Sequence, residues 1–304
     1  MIAVIGANGQ LGVELCRRIP GNCCAALTHD HIEVADAASV RSVLAGMDDL
    51  EAIINCAAYH NVPQCEEEPA TSWAVNAQGA AHVATVARER AVPVIFVSTD
   101  YVFDGTKGAA YVEGDAPNPL SVYARSKLAG ELAVLSIAPR AVVVRVCALF
   151  GAAGCRAKNG GNFVKSMLRL GQEREALDVT DDQTVSPTYA PDAARLILEI
   201  LQAGGRGVFH VCNSDCVTWR EFAELIFAEA GMGVTVQGRQ TGPEEARLRP
   251  AFSALRSTRL GSLGIGPLPD LRDALRRYLA EERNRAGVSA TRIGEEALVG
   301  LNSE

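Results

Sequence analysis

The sequence predicts an α/β fold with a doubly wound parallel sheet. Short apolar runs alternate with longer helical patterns, several of these runs are apolar at every position, and a glycine-rich turn follows the first of them. Parallel strands joined by crossover helices produce this alternation, and strands covered on both faces have no polar side. The first half of the chain contains five predicted strands, at residues 2–5, 24–27, 52–57, 94–98 and 141–147.

The segments between and after these strands predict helices and a second, smaller part. Helical periodicity covers residues 10–19, 37–45, 70–91 and 121–137. Beyond a loop at 151–161, the pattern predicts helices at 162–170, 191–203, 219–230 and about 270–283, and strands near 177–179 and 208–212. We expect one domain over residues 1–150, its sheet completed by segments around 190–215. A discontinuous substrate-binding domain at 151–282 and a tail at 283–304 without a strong pattern would follow.

Composition excludes several classes of protein. The net charge of −7 and pI near 5.4 give no support for a nucleic-acid partner. The chain has no apolar run of about 18 residues and begins with a strand pattern rather than a basic leader, which predicts no membrane span and no signal peptide. Nine cysteines without paired zinc spacing predict reduced thiols and no metal site. We therefore expect a cytoplasmic protein.

The turn Gly6-Ala7-Asn8-Gly9-Gln10-Leu11-Gly12 follows the first strand and opens a helix, as in Rossmann-type dinucleotide sites. Glycines let the backbone approach a pyrophosphate, which the amides at the helix start can bind. A tight turn without a ligand is the alternative. Asp30, after the second strand, could accept from adenosine ribose hydroxyls and repel a 2′-phosphate, which slightly favours NADH over NADPH. Asp30 could equally be a solvated loop carboxylate.

Tyr123 and Lys127 are the candidates for catalysis. Residues four apart share a helix face, and an ammonium beside a phenol is expected to lower the phenol pKa towards neutrality. Such a tyrosine can donate a proton to a carbonyl oxygen as hydride arrives. Thr99 follows the fourth strand, where ligands of open α/β sheets bind, and could hydrogen-bond the reacting oxygen. Each motif alone is common; their order along one chain indicates a nicotinamide-dependent oxidoreductase.

The chain resembles the dTDP-4-dehydrorhamnose reductases, a branch of the extended short-chain dehydrogenases, over about residues 1–282. The resemblance rests on GANGQLG, NCAAY, CEEEPATSWAVNAQGA, STDYVFDG, YARSKLAGE, GGNFVKSMLRL, DDQTVSPTY and RPAFS. It implies NAD(P)H-dependent reduction of a 4-keto-deoxysugar nucleotide, with Tyr123 as proton donor, Lys127 as its tuner and cofactor contact, and Thr99 on the carbonyl oxygen. Homodimers are common among relatives.

The resemblance also implies contacts for other positions. Cofactor contacts are expected, beyond the glycine turn and Asp30, from Glu33, Ala57, Ala58, Tyr59, Tyr123 and Lys127. Substrate contacts are expected, beside Thr99, from Asp100, Ala148, Asn162, Gln183 and Arg249. Asn162 could instead cap a helix, and Arg249 could clamp a diphosphate because a guanidinium fork matches phosphate oxygens. Relatives typically carry Trp where this chain has Ala148, so one aromatic wall of the sugar pocket is missing.

Two other functions remain open. An epimerase or dehydratase of the same superfamily would recycle its cofactor, although Tyr101 after Asp100 does not supply the acidic pair typical of dehydratases. The regulatory subunit of methionine adenosyltransferase resembles the same branch and works as a cofactor-binding partner protein without this reaction.

Overall fold

The structure, a computed structural model, describes the backbone of residues 1–154 and 160–300 and the side chains of these residues up to Arg285. Part of the predicted loop 151–161 and the end of the predicted tail, residues 301–304, lie outside the described residues. The strands are β1 Ile2–Ile5, β2 Cys24–Leu27, β3 Ala52–Asn55, β4 Val94–Thr99, β5 Ala141–Val146, β6 Leu149–Phe150, β7 Ala176–Thr180, β8 Thr184–Val185, β9 Thr188–Tyr189, β10 Gly207–His210, β11 Val217–Thr218 and β12 Thr235–Arg239.

The helices connect these strands in the alternating order that the sequence predicts. They are α1 Gln10–Arg18, α2 Ala37–Ala45, α3 Val62–Glu67, α4 Pro69–Trp73, α5 Gly79–Glu89, α6 Val122–Ile137, α7 Phe163–Glu173, α8 Ala190–Gln202, α9 Trp219–Ala230, α10 Pro243–Ala246 and α11 Leu271–Gly300. A π-helical turn, Ala74–Gln78, joins α4 to α5, and a 3₁₀ turn, Asp100–Val102, follows β4.

The main sheet has six strands in the order β10-β5-β4-β3-β1-β2, and every neighbouring pair is parallel. The chain runs outward from β1 to β2 and then crosses back to β3 on the other side of β1. The predicted doubly wound α/β fold is therefore confirmed, and the strand predicted at 208–212 pairs with β5 as β10. The crossover leaves a switch point between β1 and β3, where such sheets bind ligands.

Both faces of the sheet are covered by apolar side chains of helices. On one face, Leu15 of α1 and Ile197 of α8 pack over Val4 and Ile95 in a single buried cluster. Helices α2, α5 and α6 cover the other face. At the end of the chain a separate cluster joins α7, β7, α9 and α11 around Phe222. Helices α7, α9 and α11 thus share a core of their own, whereas α8 and β10 belong to the core of the main sheet.

Helix α6 lies close to its neighbours because it carries Gly130. A Cβ on Gly130 would lie 2.3 Å from the Asn76 carbonyl oxygen and 2.8 Å from the Phe96 ring. Real Cβ atoms do not make contacts this short, so any other residue would push α6 away from the π turn and from β4. The distance of α6 from the π turn and from β4 thus depends on the absence of a side chain at Gly130.

Several boundaries differ from the predictions for physical reasons. The helix predicted at 70–91 is divided into α4, the π turn and α5, because periodicity alone does not reveal one extra residue in a turn. The two-residue strands, α3, β12 and α10 were not predicted, since such short elements carry little pattern. Helix α11 continues to Gly300 rather than ending near 283, through a proline-free sequence rich in Ala, Arg and Glu.

Two further findings concern the whole described chain. No helix among the described residues combines the length and the apolar composition that a bilayer crossing requires. The eight cysteines within residues 1–154 and 160–285 are free thiols.

Candidate active site

The glycine turn after β1 lies at the switch point and has the tight backbone that a dinucleotide cradle requires. Gly6 adopts a positive φ of 77°, and its amide donates to Leu27 of β2. A Cβ on Gly12 would lie 2.2 Å from the Gly6 carbonyl oxygen, so only glycine permits this turn. Gly9 caps α1 without a side chain, and Val13 is the first residue to donate within the helix. The amides of the first turn of α1 are therefore available for a pyrophosphate.

Two side chains of this turn, those of Gln10 and Leu11, are buried in the protein and do not face the groove. Gln10 is buried, and its amide group bridges the Leu149 carbonyl (2.8 Å) and the Asn162 side chain (3.0 Å). Leu11 is buried in the core against α8. Their contribution to the cradle is through the backbone.

The segment after β3 forms the other wall of the groove. The Asn55 side chain accepts from the Ala57 amide at 3.0 Å, and this segment packs against Gly6. Asn76, in the π turn, accepts from the Tyr59 amide at 2.9 Å and donates to the Tyr59 carbonyl at 2.8 Å. Ala58 lies between these two anchored residues. The Tyr59 hydroxyl donates to Glu68 at 2.9 Å, so its ring is directed towards α3 and α4.

The segment after β2 carries the two acidic residues expected near the adenosine. Asp30 is exposed, with the Thr28 hydroxyl 3.5 Å from its carboxylate. Glu33 is partly buried; it accepts from the Ala35 amide and lies 3.3 Å from His29. Both carboxylates thus lie where water and salt screen their charge.

Tyr123 and Lys127 occupy the first two turns of α6. Ser121 caps the helix by accepting from the Ala124 amide at 3.2 Å, which fixes the start that places Tyr123 near the end of β4. Lys127 is 1% exposed; its Nζ donates to the Val97 carbonyl at 2.6 Å and lies 3.9 Å from the centre of the Phe96 ring. The structure thus brings both predicted residues to the same strand.

Thr99 and Asp100 continue the site from the end of β4. The Thr99 hydroxyl donates to Asp100 Oδ1 at 3.0 Å, and it lies close enough to the half-buried Tyr123 phenol to lower the pKa of that phenol. The Cys147 thiol donates to Asp100 Oδ2 at 3.0 Å. Burial raises the pKa of Asp100, while these donors oppose the rise. Asp100 therefore lies behind Thr99, with both carboxylate oxygens engaged.

The pKa values correct one expectation about the tyrosine. Burial raises the pKa of Tyr123 above its usual range, the Thr99 hydroxyl opposes this, and the Asp100 charge raises it further. Burial also lowers the pKa of Lys127 to about 7, against the opposing charge of Glu131. Because the Lys127 ammonium is directed at Val97, it does not acidify the phenol as the sequence suggested. Tyr123 is held in its protonated, donating form.

The residues expected to contact substrate are not equally available. Arg249 lies beside the Tyr101 phenol, whose ring packs edge-on to Tyr123 with centroids 6.2 Å apart, and it pairs with Glu245 at 3.3 Å. Ala148 follows β5 with a positive φ of 41°, which is strained for a residue with a Cβ.

Asn162 and Gln183 are buried and already hydrogen-bonded. Asn162 caps α7, and its amide donates to Gln10 and Gly151. The Gln183 amide donates to Thr241 at 2.9 Å. Arg249 and Ala148 are thus better placed for a ligand than these two.

Sequence reasoning did not single out the charged residues behind Lys127. Glu131 and Arg145 form a buried pair at 2.6 Å, and Ser98 donates to the same carboxylate at 2.5 Å. A signal was present, since Arg145 is a charge within the apolar strand AVVVRV and a buried charge requires a partner.

The chain matches the family described as RmlD substrate binding domain over residues 1–284. It is 37% identical over 296 residues to dTDP-4-dehydrorhamnose reductase of Mycobacterium tuberculosis (strain ATCC 25618 / H37Rv), covering 94% of this chain and 95% of that protein. It is 35% identical over 253 residues to dTDP-4-keto-6-deoxy-D-glucose reductase of Streptomyces niveus, covering 82% of each.

A solved structure is similar along the same length. The dTDP-4-dehydrorhamnose reductase from Bacillus anthracis str. Ames, in complex with NADP, superposes with a TM-score of 0.85 at 34% identity, covering 92% of this chain and 98% of that one. Sequence, structure and the motifs of the groove agree over nearly the whole chain, which therefore belongs to the dTDP-4-dehydrorhamnose reductase family.

Proposed function

We propose that this protein reduces the 4-keto group of a deoxysugar attached to dTDP, using NADPH or NADH. The observation that carries the proposal is that Thr99, Tyr123 and Lys127 lie together at the end of β4, in a sheet whose switch point holds a glycine turn with no side-chain cap on its helix amides. The names of relatives that act on dTDP-4-keto sugars support the substrate class.

Each reacting residue has a role that follows from its surroundings. A reduced nicotinamide, when bound in the groove, would supply the hydride for the carbonyl carbon. Tyr123, protonated because its pKa is raised, donates its proton to the carbonyl oxygen. Thr99 orients that oxygen from the end of β4. Lys127 contacts the cofactor ribose beside the end of β4.

The remaining predicted residues have supporting roles in this proposal. Gly6, Gly9 and Gly12, with the backbone of Gln10 and Leu11, bind the pyrophosphate. Asp30 and Glu33 contact the adenosine, and Ala57, Ala58 and Tyr59 line the cofactor groove.

On the substrate side, Arg249 binds the diphosphate and Ala148 borders the sugar, while Asp100 holds the Thr99 hydroxyl from behind. Asn162 and Gln183 would contact substrate only after giving up the hydrogen bonds described above.

The proposed organisation has three parts. The cofactor domain covers residues 1–150 with its sheet completed around 190–215, the discontinuous substrate domain covers 151–282, and a tail covers 283–304. We also propose a cytoplasmic homodimer; Leu132 on α6 is 61% exposed and is a candidate contact. A mass measurement in solution tests the dimer, which a monomer at all concentrations would exclude.

Replacing Tyr123 with Phe tests the reaction. The variant loses the proton donor but keeps the ring, so turnover should fall at least about 100-fold while cofactor affinity is unchanged. Turnover is measured by NADPH oxidation with a dTDP-4-keto-6-deoxysugar, and affinity by fluorescence titration. Retention of the wild-type rate would contradict the assignment.

Tyr101→Phe is the matched control, since it removes a neighbouring phenol that lies beside Arg249 rather than Thr99. It should change KM for the sugar nucleotide more than kcat. Stoichiometric consumption of NADPH also separates a reductase from an epimerase or dehydratase, which recycles bound cofactor. Capture of a synthetase partner without any ketosugar reduction would favour the regulatory alternative.

A further inference from the structure

A buried ion pair lies directly behind the proposed catalytic lysine. Glu131 of α6 is 1% exposed and Arg145 of β5 is 3% exposed. The Arg145 guanidinium donates to both Glu131 oxygens, with Nη2 at 2.6 Å from Oε2 and Nε at 2.9 Å from Oε1. Ser98 donates to Oε1 as well, at 2.5 Å. One carboxylate therefore ties α6 to two neighbouring strands, β4 and β5.

Three consecutive residues of β4, Val97 to Thr99, each contact a residue of α6. The Val97 carbonyl accepts from Lys127, the Ser98 hydroxyl donates to Glu131, and the Thr99 hydroxyl meets Tyr123. Three consecutive residues of the strand thus contact three residues of one helix. A small slide of α6 along β4 would break all three contacts at once, so the network fixes the register between the strand and the helix.

The cost of burying these charges argues against a purely structural role. Transferring two ions from water to a protein interior carries a large desolvation penalty, and apolar residues of similar volume often stabilise a fold as well or better. Burial lowers the pKa of Lys127 to about 7, and the Glu131 charge is the largest opposing influence. The Glu131–Arg145 pair therefore supplies the negative charge that favours the charged form of the buried Lys127.

We propose that Glu131 is a positioning residue: held by Ser98 and Arg145, it locks α6 in register with β4 and places a negative charge behind the Lys127 ammonium. This inference rests on the proposed role of Lys127. The other groups facing Lys127 are the Cys56 thiol, the Phe96 ring and the Val97 carbonyl. Thiol ionisation at Cys56 is suppressed, since burial raises its pKa to about 12. Glu131 is therefore the charged neighbour that matters near neutral pH.

The test is an NMR titration of the ligand-free protein with lysine labelled with ¹³C at Cε. The sequence contains four lysines, at 107, 127, 158 and 165, and Lys127→Met assigns the signal of interest. The wild-type Lys127 signal should titrate near pH 7. In Glu131→Gln, which removes the anion and leaves Arg145 unpaired, its midpoint should fall by about one pH unit or more. An unchanged midpoint in a folded variant overturns the proposal.

A second variant covers the case in which Glu131→Gln does not fold. Glu131→Gln with Arg145→Met removes both charges and leaves no buried ion unpaired, which protects folding. Its Lys127 midpoint should also fall, but by less than in the single variant, because no uncompensated guanidinium remains. A wild-type midpoint in this double variant overturns the proposal.

Asp192→Asn is the matched control for general destabilisation. Asp192 is also buried and binds an arginine through two contacts, Arg277 Nη1 and Nη2 at 2.7 Å each, but it joins α8 to α11 away from Lys127. It should lower Tm and leave the Lys127 midpoint unchanged. The titration needs neither cofactor nor sugar, so its outcome is independent of whether the proposed ketone reduction is correct.

Discussion

The two ends of the proposed cofactor groove differ in how firmly their side chains are held. At the reacting end, Thr99 and Lys127 are 6% and 1% exposed, and each is hydrogen-bonded to neighbouring protein groups. At the adenosine end, Asp30 is exposed and Glu33 is only partly buried. Charges at the first end act in a low dielectric, whereas charges at the second are screened by water and salt.

The difference teaches where each property of the protein is determined. Proton transfer needs groups fixed within tenths of an ångström, which buried, fully bonded side chains provide. Choice between two dinucleotides needs only a modest difference in binding free energy, which solvated charges can supply. Substitutions at the reacting end should therefore have large effects on rate, and those at the adenosine end small effects on affinity.

Lys127→Met should produce the largest effect. It removes the buried ammonium but keeps the length of the side chain, so kcat/KM should fall at least about 100-fold. Tm should stay the same or rise, because the desolvation cost of a buried cation disappears. Steady-state kinetics and thermal unfolding measure the two effects. A variant that keeps a third or more of the wild-type rate would contradict the contrast.

Asp100→Asn should have an intermediate effect that depends on pH. Burial raises the pKa of Asp100, so acidification protonates a carboxylate that accepts from Thr99. The wild-type rate should therefore fall as pH drops through this raised pKa. In the variant, the displaced Thr99 hydroxyl should lower kcat about tenfold. Because the amide does not titrate, the fall in rate at acid pH should also be flatter than in the wild type.

Rate profiles between pH 4 and 8 measure this effect. Cys147→Ser is the control, since a hydroxyl keeps a donor to Asp100 Oδ2. An acid limb of unchanged steepness in Asp100→Asn would remove Asp100 from this account.

Asp30→Ala should have the smallest effect. Loss of an exposed carboxylate should strengthen NADPH binding and weaken NADH binding, each by about two- to fivefold, because solvent screens the charge. Fluorescence titration of both cofactors measures the ratio. Asp48→Ala removes an equally exposed charge from the loop before β3 and should leave the ratio unchanged. Equal changes for both cofactors in Asp30→Ala would contradict an adenosine contact.

Sequence predicted the reacting end better than the substrate side. Thr99, Tyr123 and Lys127 lie at the end of a strand and the start of a helix, so strand order and helical spacing largely determine where they meet. Asn162 and Gln183 lie outside the main sheet, and no local pattern shows that their amides are used by Gln10 and Thr241. Their partners are 152 and 58 residues distant in sequence.

Residue spacing in the sequence could not predict the Glu131–Arg145–Ser98 contacts or the direction of the Tyr123 pKa shift. The i, i+4 relation correctly put Tyr123 and Lys127 on one helix face, but it does not determine which way a long side chain turns. Lys127 turns towards Val97 because α6 lies close to β4, and that proximity depends on tertiary packing. The role of Glu131 likewise depends on Ser98 and Arg145, which only tertiary packing brings to it.

The glycine in the middle of α6 has a consequence for how this enzyme can change. Gly130 lies roughly two helical turns beyond Tyr123, so the position of the proposed proton donor depends on a residue that packs against Asn76 and Phe96. Even alanine there would require the helix to tilt or shift. Variation in substrate preference is therefore expected to accumulate in the loops facing the sugar, while this helix tolerates almost no drift.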